Sequence, residues 1–154
     1  MKTINPSWFY IEGSCKIIRE KMISDNYKPD VIIGLLRGGV IPARIFADYF
    51  SILLDFFAID VKLYEGIGVR KENATIKPFH FDIEEDKKIL VVDDIWDSGK
   101  TMEAIMGTLN GRNVKTTTLF WRKSAKKKPD YYADEIEDEW VIFPWEKFEF
   151  SKNK

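Results

Sequence analysis

The chain has little or none of several residue types that define whole classes of protein. It contains one cysteine, Cys15, one histidine, His80, and no glutamine. The single cysteine excludes an intramolecular disulfide framework, and its spacing from Ile11 and Ile18 predicts that it lies on a packed helix face. His80 lies outside the motifs described below and is interpreted as structural. The absence of glutamine, together with 32% charged residues, is typical of heat-adapted proteins.

Long apolar runs and a strong charge of either sign are also missing. No apolar stretch approaches the length of a membrane span, and the segment before Trp8 has no apolar core of a signal peptide. The formal net charge of -1 provides no general footprint for nucleic acid. We therefore expect one cytoplasmic domain over residues 1–154, without a membrane or nucleic-acid partner.

Hydrophobic patterning predicts alternating helices and strands. Ser7 or Asn5 is expected to cap a first helix that extends to about Asn26. The other predicted elements are strands at 31–36, 56–64, 88–93 and 114–121 and helices at 40–50 and about 100–110. Residues 65–80 are polar and are predicted to form a long mobile loop. The alternation favours a single-domain α/β fold with a parallel sheet, whose ligands lie beyond the carboxyl ends of the strands.

Residues 89–101 are the most informative stretch. An apolar strand ends at two adjacent carboxylates, Asp93 and Asp94, and Asp97 precedes a short Ser-Gly-Lys-Thr turn. The backbone amides of such a turn and the N-terminus of the next helix can hold a phosphate. The carboxylates can take ribose hydroxyls, a metal ion or a proton. The stretch is not a P-loop, because that motif needs a glycine where Asp94 stands.

Residues 89–101 resemble the phosphoribosyl-diphosphate (PRPP) motif of the type I phosphoribosyltransferases. That motif reads four apolar residues, two acids, two variable residues, an acid, Thr or Ser, Gly, any residue and Thr. Every fixed position matches, with Ser98 where Thr is usual. The resemblance implies the type I phosphoribosyltransferase fold, with PRPP or nucleotide bound by the loop. The residues to which it assigns this contact are Asp93, Asp94, Ile95, Trp96, Ser98, Gly99, Lys100 and Thr101.

Two further segments resemble parts of the same family. Leu36, Arg37 and Gly38 lie in a turn of the composition that the family uses to bind diphosphate, and arginine suits forked contact with phosphate oxygens. The polar segment 64–73 resembles the flexible catalytic loop that closes over the reacting centre. Arg70 is the candidate cation for the leaving diphosphate, with Lys71 second.

The C-terminal part, a hood segment from about 122 to 150, is predicted to select the base. Residues 140–146 resemble the Trp-x-x-x-Pro-Trp-acid segment of xanthine-guanine-type and archaeal 6-oxopurine phosphoribosyltransferases. By this resemblance Trp140 stacks on the purine and Val141 reads its edge, whereas Trp145 is interpreted as core. Arg122 and Lys123 compete for the purine 6-oxo group. We assign this contact to Lys123, and a cation at this place disfavours adenine.

The resemblance implies a purine salvage enzyme that transfers ribose 5-phosphate from PRPP to guanine, hypoxanthine or xanthine. Diphosphate is released, and the product with guanine is GMP. The implied catalytic residues are Asp97, as general base for the purine ring N–H, and Arg70. Mg2+ is expected at Asp93 and Asp94. Family members are usually dimers or tetramers, so a homodimer or homotetramer is expected.

Two other functions stay open. Some transcription regulators keep this fold and the PRPP motif but bind the ligand without catalysis. They usually carry a DNA-binding extension, for which the sequence before Trp8 leaves no room. The chain could also act on adenine or a pyrimidine, although Trp140 and Lys123 argue against this through the resemblance.

Overall fold

The computed structural model describes residues 2–51, 53–66, 69–76 and 81–152. The helices are α1 (Trp8–Ser24), α2 (Val40–Phe50), α3 (Lys100–Thr108) and α4 (Lys147–Lys152). The strands of the first half are β1 (Thr3–Ile4), β2 (Val31–Leu36), β3 (Asp55–Gly66) and β4 (Val69–Ile76). Those of the second half are β5 (Lys88–Val92), β6 (Ile95–Trp96), β7 (Asn113–Arg122), β8 (Tyr131–Ile136) and β9 (Trp140–Val141).

The main sheet has the order β4-β3-β2-β5-β7-β6, and β8, which is not on this path, also pairs with β7. The pairs are parallel except for β3 with β4, which is antiparallel. At the centre, Ile33 lies opposite Phe57 on one side and Val91 on the other. This arrangement confirms the predicted α/β fold with a mainly parallel sheet.

Apolar side chains cover both faces of the sheet. On one face Ile32 and Leu90 pack with residues of α1 and α2. On the other face Ile33 and Val91 pack with residues of α3. Successive strand residues point to opposite faces, and here both faces are buried. Because both faces are buried, the sequences of β2 and β5 are apolar at successive positions instead of alternating with polar residues.

Helix α1 has the predicted cap and the predicted packed face. Ser7 Oγ accepts a hydrogen bond from the backbone N–H of Tyr10 at 3.1 Å, so Ser7 rather than Asn5 caps the helix. Its fully buried apolar residues are Ile11, Cys15, Ile18 and Met22. Burial also raises the pKa of the Cys15 thiol to about 12, which leaves this side chain as an inert part of the core.

The loop predicted for residues 65–80 is wrong where the structure describes it. Strand β3 continues to Gly66, and β4 returns antiparallel to it with Arg70 opposite Glu65. Residues 67–68 and 77–80, with His80 among them, lie outside the described part of the chain. Backbone pairing at a sheet edge does not require an apolar pattern, so the polar composition of this segment was misleading.

Two pairings in the C-terminal part were not predicted. Strand β8 extends the sheet beyond β7, so the segment predicted as a hood also contributes a strand. Strand β9 pairs with β1, which places Trp140 opposite Thr3 and Val141 opposite Ile4. The N-terminal residues therefore hold the segment that is predicted to contact the base. Among the described helices, none combines the length and apolarity needed to cross a membrane.

Candidate functional site

The site lies beyond the carboxyl ends of β2 and β5, which are neighbours in the sheet. The turn after β2 carries Arg37, Gly38 and Gly39, and its Leu36–Arg37 peptide bond is cis. A Cβ at Gly39 would lie 2.5 Å from the carbonyl oxygen of Val92 and 2.7 Å from Cα of Asp93. Only glycine fits here, because the turn and the acidic pair are in direct backbone contact.

The acidic pair is packed under the Arg37 turn. A Cβ at Gly38 would lie 1.7 Å from Oδ2 of Asp94, whose side chain is buried. The Asp93 carboxylate accepts the backbone N–H of Asp94 at 3.0 Å. The structure thus brings together the predicted diphosphate turn and the predicted metal ligands, as the sequence motifs require.

Burial makes both carboxyl groups of the pair hold their protons more strongly. The pKa of Asp93 is raised well above its ordinary value, first by burial and then by the neighbouring Asp94. The pKa of Asp94 is raised to about 6, first by burial and then by the charge of Glu146. The indole N–H of Trp145 lies beside Asp94 and opposes this increase, although the contact falls short of full hydrogen-bond geometry. A cation bound between the pair and a ligand would favour the ionised forms.

This electrostatic arrangement predicts how stability depends on pH when metal ions are removed. Below about pH 4 Asp94 is protonated in both the folded and the unfolded chain. Above about pH 6 the folded chain must hold a buried charge, so the free energy of unfolding in EDTA should fall across this interval. A shift of this size corresponds to a loss on the order of 2–3 kcal/mol.

Urea unfolding at a series of pH values measures this loss. The Asp94→Asn variant should show a smaller decrease between pH 4 and pH 7, and added Mg2+ should restore part of the stability of the unmodified protein. Equal pH profiles for the two proteins would contradict the assignment of the raised pKa to Asp94.

The loop that is predicted to bind phosphate, called the phosphate loop below, lies between Asp97 and the start of α3. Gly99 has the left-handed φ of 84° and precedes the first helical residue, Lys100. The loop borders a cavity of about 190 Å³. Its lining residues are Asp93, Ile95, Trp96, Asp97, Ser98, Gly99, Thr101 and Met102. The free backbone amides at this helix N-terminus suit a phosphate group.

Asp97 lies beside Arg122 rather than beside Lys123. Arg122 Nε donates to the Asp97 carboxylate. The rest of its guanidinium group donates to the carbonyl oxygen of Glu137 and, at 3.1 Å, to that of Glu139. These bonds fix a charged donor at the end of β7, next to the residue that precedes Trp140.

The sequence assigns the contact with the base to Lys123, but this side chain pairs with two glutamates instead. Its Nζ lies 3.2 Å from a carboxylate oxygen of Glu135 and 3.7 Å from one of Glu137. Lys123 is half exposed, and Arg122 is the more enclosed of the two cations. The structure therefore brings Arg122, and not Lys123, to Asp97.

The two tryptophans of the hood segment have different surroundings. Trp140 is 49% exposed, and its backbone N–H donates to the carbonyl oxygen of Lys2 at 2.9 Å. Trp145 stacks on Phe143 with ring centroids 4.7 Å apart and also contacts Trp8. An exposed indole on a fixed backbone can stack on a planar ligand, whereas Trp145 belongs to the packed aromatic cluster.

Sequence reasoning missed several residues at the site. Glu149 of α4 forms an ion pair of 2.8 Å with Arg37, and Glu146 raises the pKa of Asp94. Acidic residues after the Trp-Pro-Trp pattern were visible, but nothing local indicated that they face the β2 turn. The side chains of Arg70 and Lys71 lie outside the described residues, so their predicted role is unchanged.

The described residues supply no group of three or more His, Cys, Asp or Glu side chains that could hold a metal ion on its own. The acidic pair offers two carboxylates beside the loop that suits a phosphate. This donor set fits Mg2+, which takes one or two protein carboxylates and completes its coordination with substrate phosphates and water. A metal here would therefore depend on a phosphorylated ligand.

The fold and the site match a known family. The family described as "Phosphoribosyl transferase domain" matches residues 10–148. A xanthine-guanine phosphoribosyltransferase of Ruegeria sp. is 30% identical over 94% of this chain and 86% of its own length. That of Cereibacter sphaeroides is 28% identical over 94% and 87%. A purine phosphoribosyltransferase structure from Pyrococcus horikoshii has a TM-score of 0.80 and 34% identity, covering 94% of both chains. This chain belongs to the phosphoribosyl transferase domain family.

Proposed function

We propose that this protein transfers ribose 5-phosphate from PRPP to a ring nitrogen of a 6-oxopurine and releases diphosphate. The proposal rests on three features that lie together beyond the carboxyl ends of β2 and β5. They are the acidic pair, the Arg37 turn and the phosphate loop. The acidic pair, with Asp94 buried and Asp93 half-buried, lies directly under the Arg37 turn and beside the cavity at the phosphate loop. The relatives of this chain include proteins named xanthine-guanine and hypoxanthine-guanine phosphoribosyltransferases.

The substrate groups follow from the chemistry of the site. The 5-phosphate binds at the Ser98–Thr101 loop, where amides and hydroxyls supply donors. Asp93 and Asp94 would hold Mg2+, which would supply positive charge to the diphosphate group. Arg37 adds a positive charge from the turn after β2, once its exposed ion pair with Glu149 has opened. Such an exposed pair is weak and is readily replaced by a diphosphate.

The carboxylates also act on the sugar. Cleavage of the bond at the anomeric carbon develops oxocarbenium character, as in glycoside hydrolysis. Carboxylates that face this carbon stabilise its positive charge. Asp97 then accepts the proton that the purine ring nitrogen releases when the new bond forms. Arg70, which lies on β4, remains the candidate cation for the departing diphosphate.

The base binds between Trp140 and the cation at the end of β7. Stacking on an indole is worth about 1–3 kcal/mol by analogy with nucleic-acid bases. Val141, which is buried and paired with Ile4, keeps its backbone fixed so that it can read the purine edge. A cationic donor beside the 6-oxo group rejects adenine, whose amino group is itself a donor.

Replacing Trp140 should therefore weaken base binding and leave PRPP binding intact. We expect Trp140→Ala to raise KM for guanine about fivefold or more, in keeping with the loss of stacking, while KM for PRPP changes less than twofold. Phe9→Ala removes an exposed aromatic side chain from α1 and serves as the matched control. Equal effects of Trp140→Ala on both substrates would contradict the base-stacking role.

The geometry favours Arg122 over the sequence assignment of Lys123 as the donor to the 6-oxo group. Arg122 contacts Asp97 and is fixed by two carbonyls, whereas Lys123 is paired with Glu135 and Glu137. We expect Arg122→Ala to raise KM for hypoxanthine more than tenfold, since hydrogen bonds to charged groups contribute about 1.5–3 kcal/mol. Lys123→Ala should change it less than twofold. A larger increase in KM for Lys123→Ala than for Arg122→Ala would instead support Lys123 as the donor to the base.

We also propose that the protein works in the cytoplasm as a homodimer or homotetramer. Large apolar side chains that the described structure leaves exposed include Leu53 and Phe148, and exposed apolar surface is typical of interfaces. Analytical ultracentrifugation tests the oligomeric state, and a monomer at all concentrations would contradict it.

A turnover panel tests the proposed function. The purified protein is incubated with PRPP and Mg2+, and hypoxanthine, guanine, xanthine, adenine, orotate and uracil are offered separately. Nucleotide formation with 6-oxopurines alone is expected. Turnover with adenine or a pyrimidine would support the proposed PRPP site but contradict the proposed base-binding residues. Binding of PRPP without turnover of any base would instead indicate a non-catalytic regulator.

A further inference from the structure

Glu139 lies in the bend at residues 137–139, between β8 and β9. Its side chain is 18% exposed, whereas that of Glu137 in the same bend is 73% exposed. One carboxylate oxygen of Glu139 accepts the backbone N–H of Glu137 at 2.8 Å. The other accepts a hydrogen bond from Nζ of Lys2 at 3.1 Å. Glu139 therefore fixes the backbone of the bend and joins the bend to the N-terminal segment.

The bond to the amide is the stronger of these two contacts. The backbone amides of Glu137 and Glu139 lower the pKa of the Glu139 carboxyl to about 2, and Lys2 adds to this effect. The side chain is thus ionised at neutral pH, and a carboxylate accepts an amide N–H more strongly than a neutral oxygen does. Lys2 is exposed, and exposed ion pairs contribute little.

The bend also carries the two carbonyl groups that hold Arg122. The guanidinium group donates to the carbonyl oxygen of Glu137 and, at 3.1 Å, to that of Glu139. Its Nε donates to the Asp97 carboxylate. If the bend changed its conformation, both carbonyl groups would move and Arg122 would lose these two contacts. The position of Arg122 therefore depends on Glu139.

The same bend leads directly into the strand that carries Trp140. The backbone N–H of Trp140 donates to the carbonyl oxygen of Lys2 at 2.9 Å, and Lys2 also contacts the Glu139 carboxylate. The side chain of Trp140 is about half exposed, so its position depends more on its backbone than on packing. Glu139 is thus connected to the proposed stacking residue as well as to the proposed polar donor.

We propose that Glu139 is a positioning residue of the base site, which holds the indole of Trp140 and the guanidinium group of Arg122 in the geometry that a purine requires. Glu139 acts through these two residues and does not itself contact the base. The inference rests on the proposed function. A purine must meet both groups at once, and a misplacement of about 1 Å is enough to lose productive geometry. Loss of the Glu139 carboxylate should therefore affect the base and not PRPP.

Steady-state kinetics with guanine and PRPP test the inference. Glu139→Ala should raise KM for guanine about tenfold, the effect of one hydrogen bond to a charged group, and change KM for PRPP less than about twofold. Glu139→Gln should recover most of the loss, because its carboxamide oxygen can still accept the amide of Glu137. Asp138→Ala is the matched control, since it removes an exposed carboxylate of the same bend, and it should behave as the unmodified protein does.

Amide hydrogen exchange measures the positioning without turnover. The backbone amides of Glu137 and Trp140 should exchange about tenfold faster in Glu139→Ala than in Asp138→Ala, because the bend opens more often. In the unmodified protein, GMP should slow the exchange of both amides and ribose 5-phosphate should not, because only GMP carries a base. A lack of difference between these two ligands would overturn the inference even if Glu139→Ala folds poorly.

The kinetic outcomes separate this inference from the proposed function. An unchanged KM for guanine in Glu139→Ala, or an equal increase in KM for guanine and PRPP, would overturn the positioning role and keep the proposed function. A selective increase for guanine that Glu139→Gln reverses would support the role. If the unmodified protein turns over no base, both fail.

Discussion

Asp97→Asn should lower kcat for guanine by about 100-fold or more, while the affinity for GMP changes only a few-fold. General base catalysis typically contributes 10²–10⁴ in rate, and an amide cannot accept the proton of the purine ring. The substitution keeps the size of the side chain and its contact with Arg122. Product binding should therefore be largely preserved, because we propose that it depends on the phosphate loop and on Trp140.

The measurement is steady-state kinetics together with calorimetric titration of GMP. Asp48→Asn is the matched control, since Asp48 is an exposed carboxylate that pairs with Arg44 on α2, away from the site. That variant should retain both turnover and binding. Equal losses of kcat and GMP affinity in Asp97→Asn would show that Asp97 serves binding rather than proton transfer.

Gly39→Ala should abolish most activity by separating the two halves of the site. The added methyl would lie 2.5 Å from the carbonyl oxygen of Val92, 2.7 Å from Cα of Asp93 and 2.8 Å from the carbonyl oxygen of Leu35. All three are backbone atoms, so the Arg37 turn and the acidic pair must move apart. Overpacking of this kind costs about 1–3 kcal/mol of stability, and we expect kcat/KM for PRPP to fall at least 100-fold.

Gly107→Ala is the control for the glycine substitution. Gly107 lies on the exposed side of α3, and a Cβ there would have no heavy atom within 4 Å. Alanine in a helix is favoured over glycine by about 0.5–1 kcal/mol, so this variant should be as active as the unmodified protein and slightly more stable. Normal PRPP kinetics in Gly39→Ala would contradict the proposed contact between turn and acidic pair.

The sequence predicted correctly those elements whose formation depends on residues close together in the chain. Strands β2 and β5 are apolar because both of their faces are covered, and Ser7 caps α1 through a bond to Tyr10. The phosphate loop could be recognised because its glycine and hydroxyl residues must stand at fixed distances from the acidic pair. Strand order brings the Arg37 turn beside that loop.

The parts that the sequence did not predict depend on contacts between distant residues. The edge strand β4 is stabilised by pairing with β3, which its polar composition does not indicate. Thr3 pairs with Trp140, and Arg37 with Glu149, across most of the chain. The contact of Asp97 with Arg122 rather than Lys123 likewise depends on packing, since Lys123 pairs with Glu135 of β8. Such pairings are set by tertiary packing, which overrides local propensity.

The central claim is that this site transfers ribose 5-phosphate from PRPP to a purine, and phosphorus NMR tests it most directly. The protein is mixed with PRPP, guanine and Mg2+, and the phosphorus signals are followed over time. We predict that GMP and free diphosphate appear in equal amounts while PRPP disappears, and that EDTA stops the reaction. Persistence of PRPP, or its conversion to ribose 5-phosphate and diphosphate without GMP, would contradict the claim.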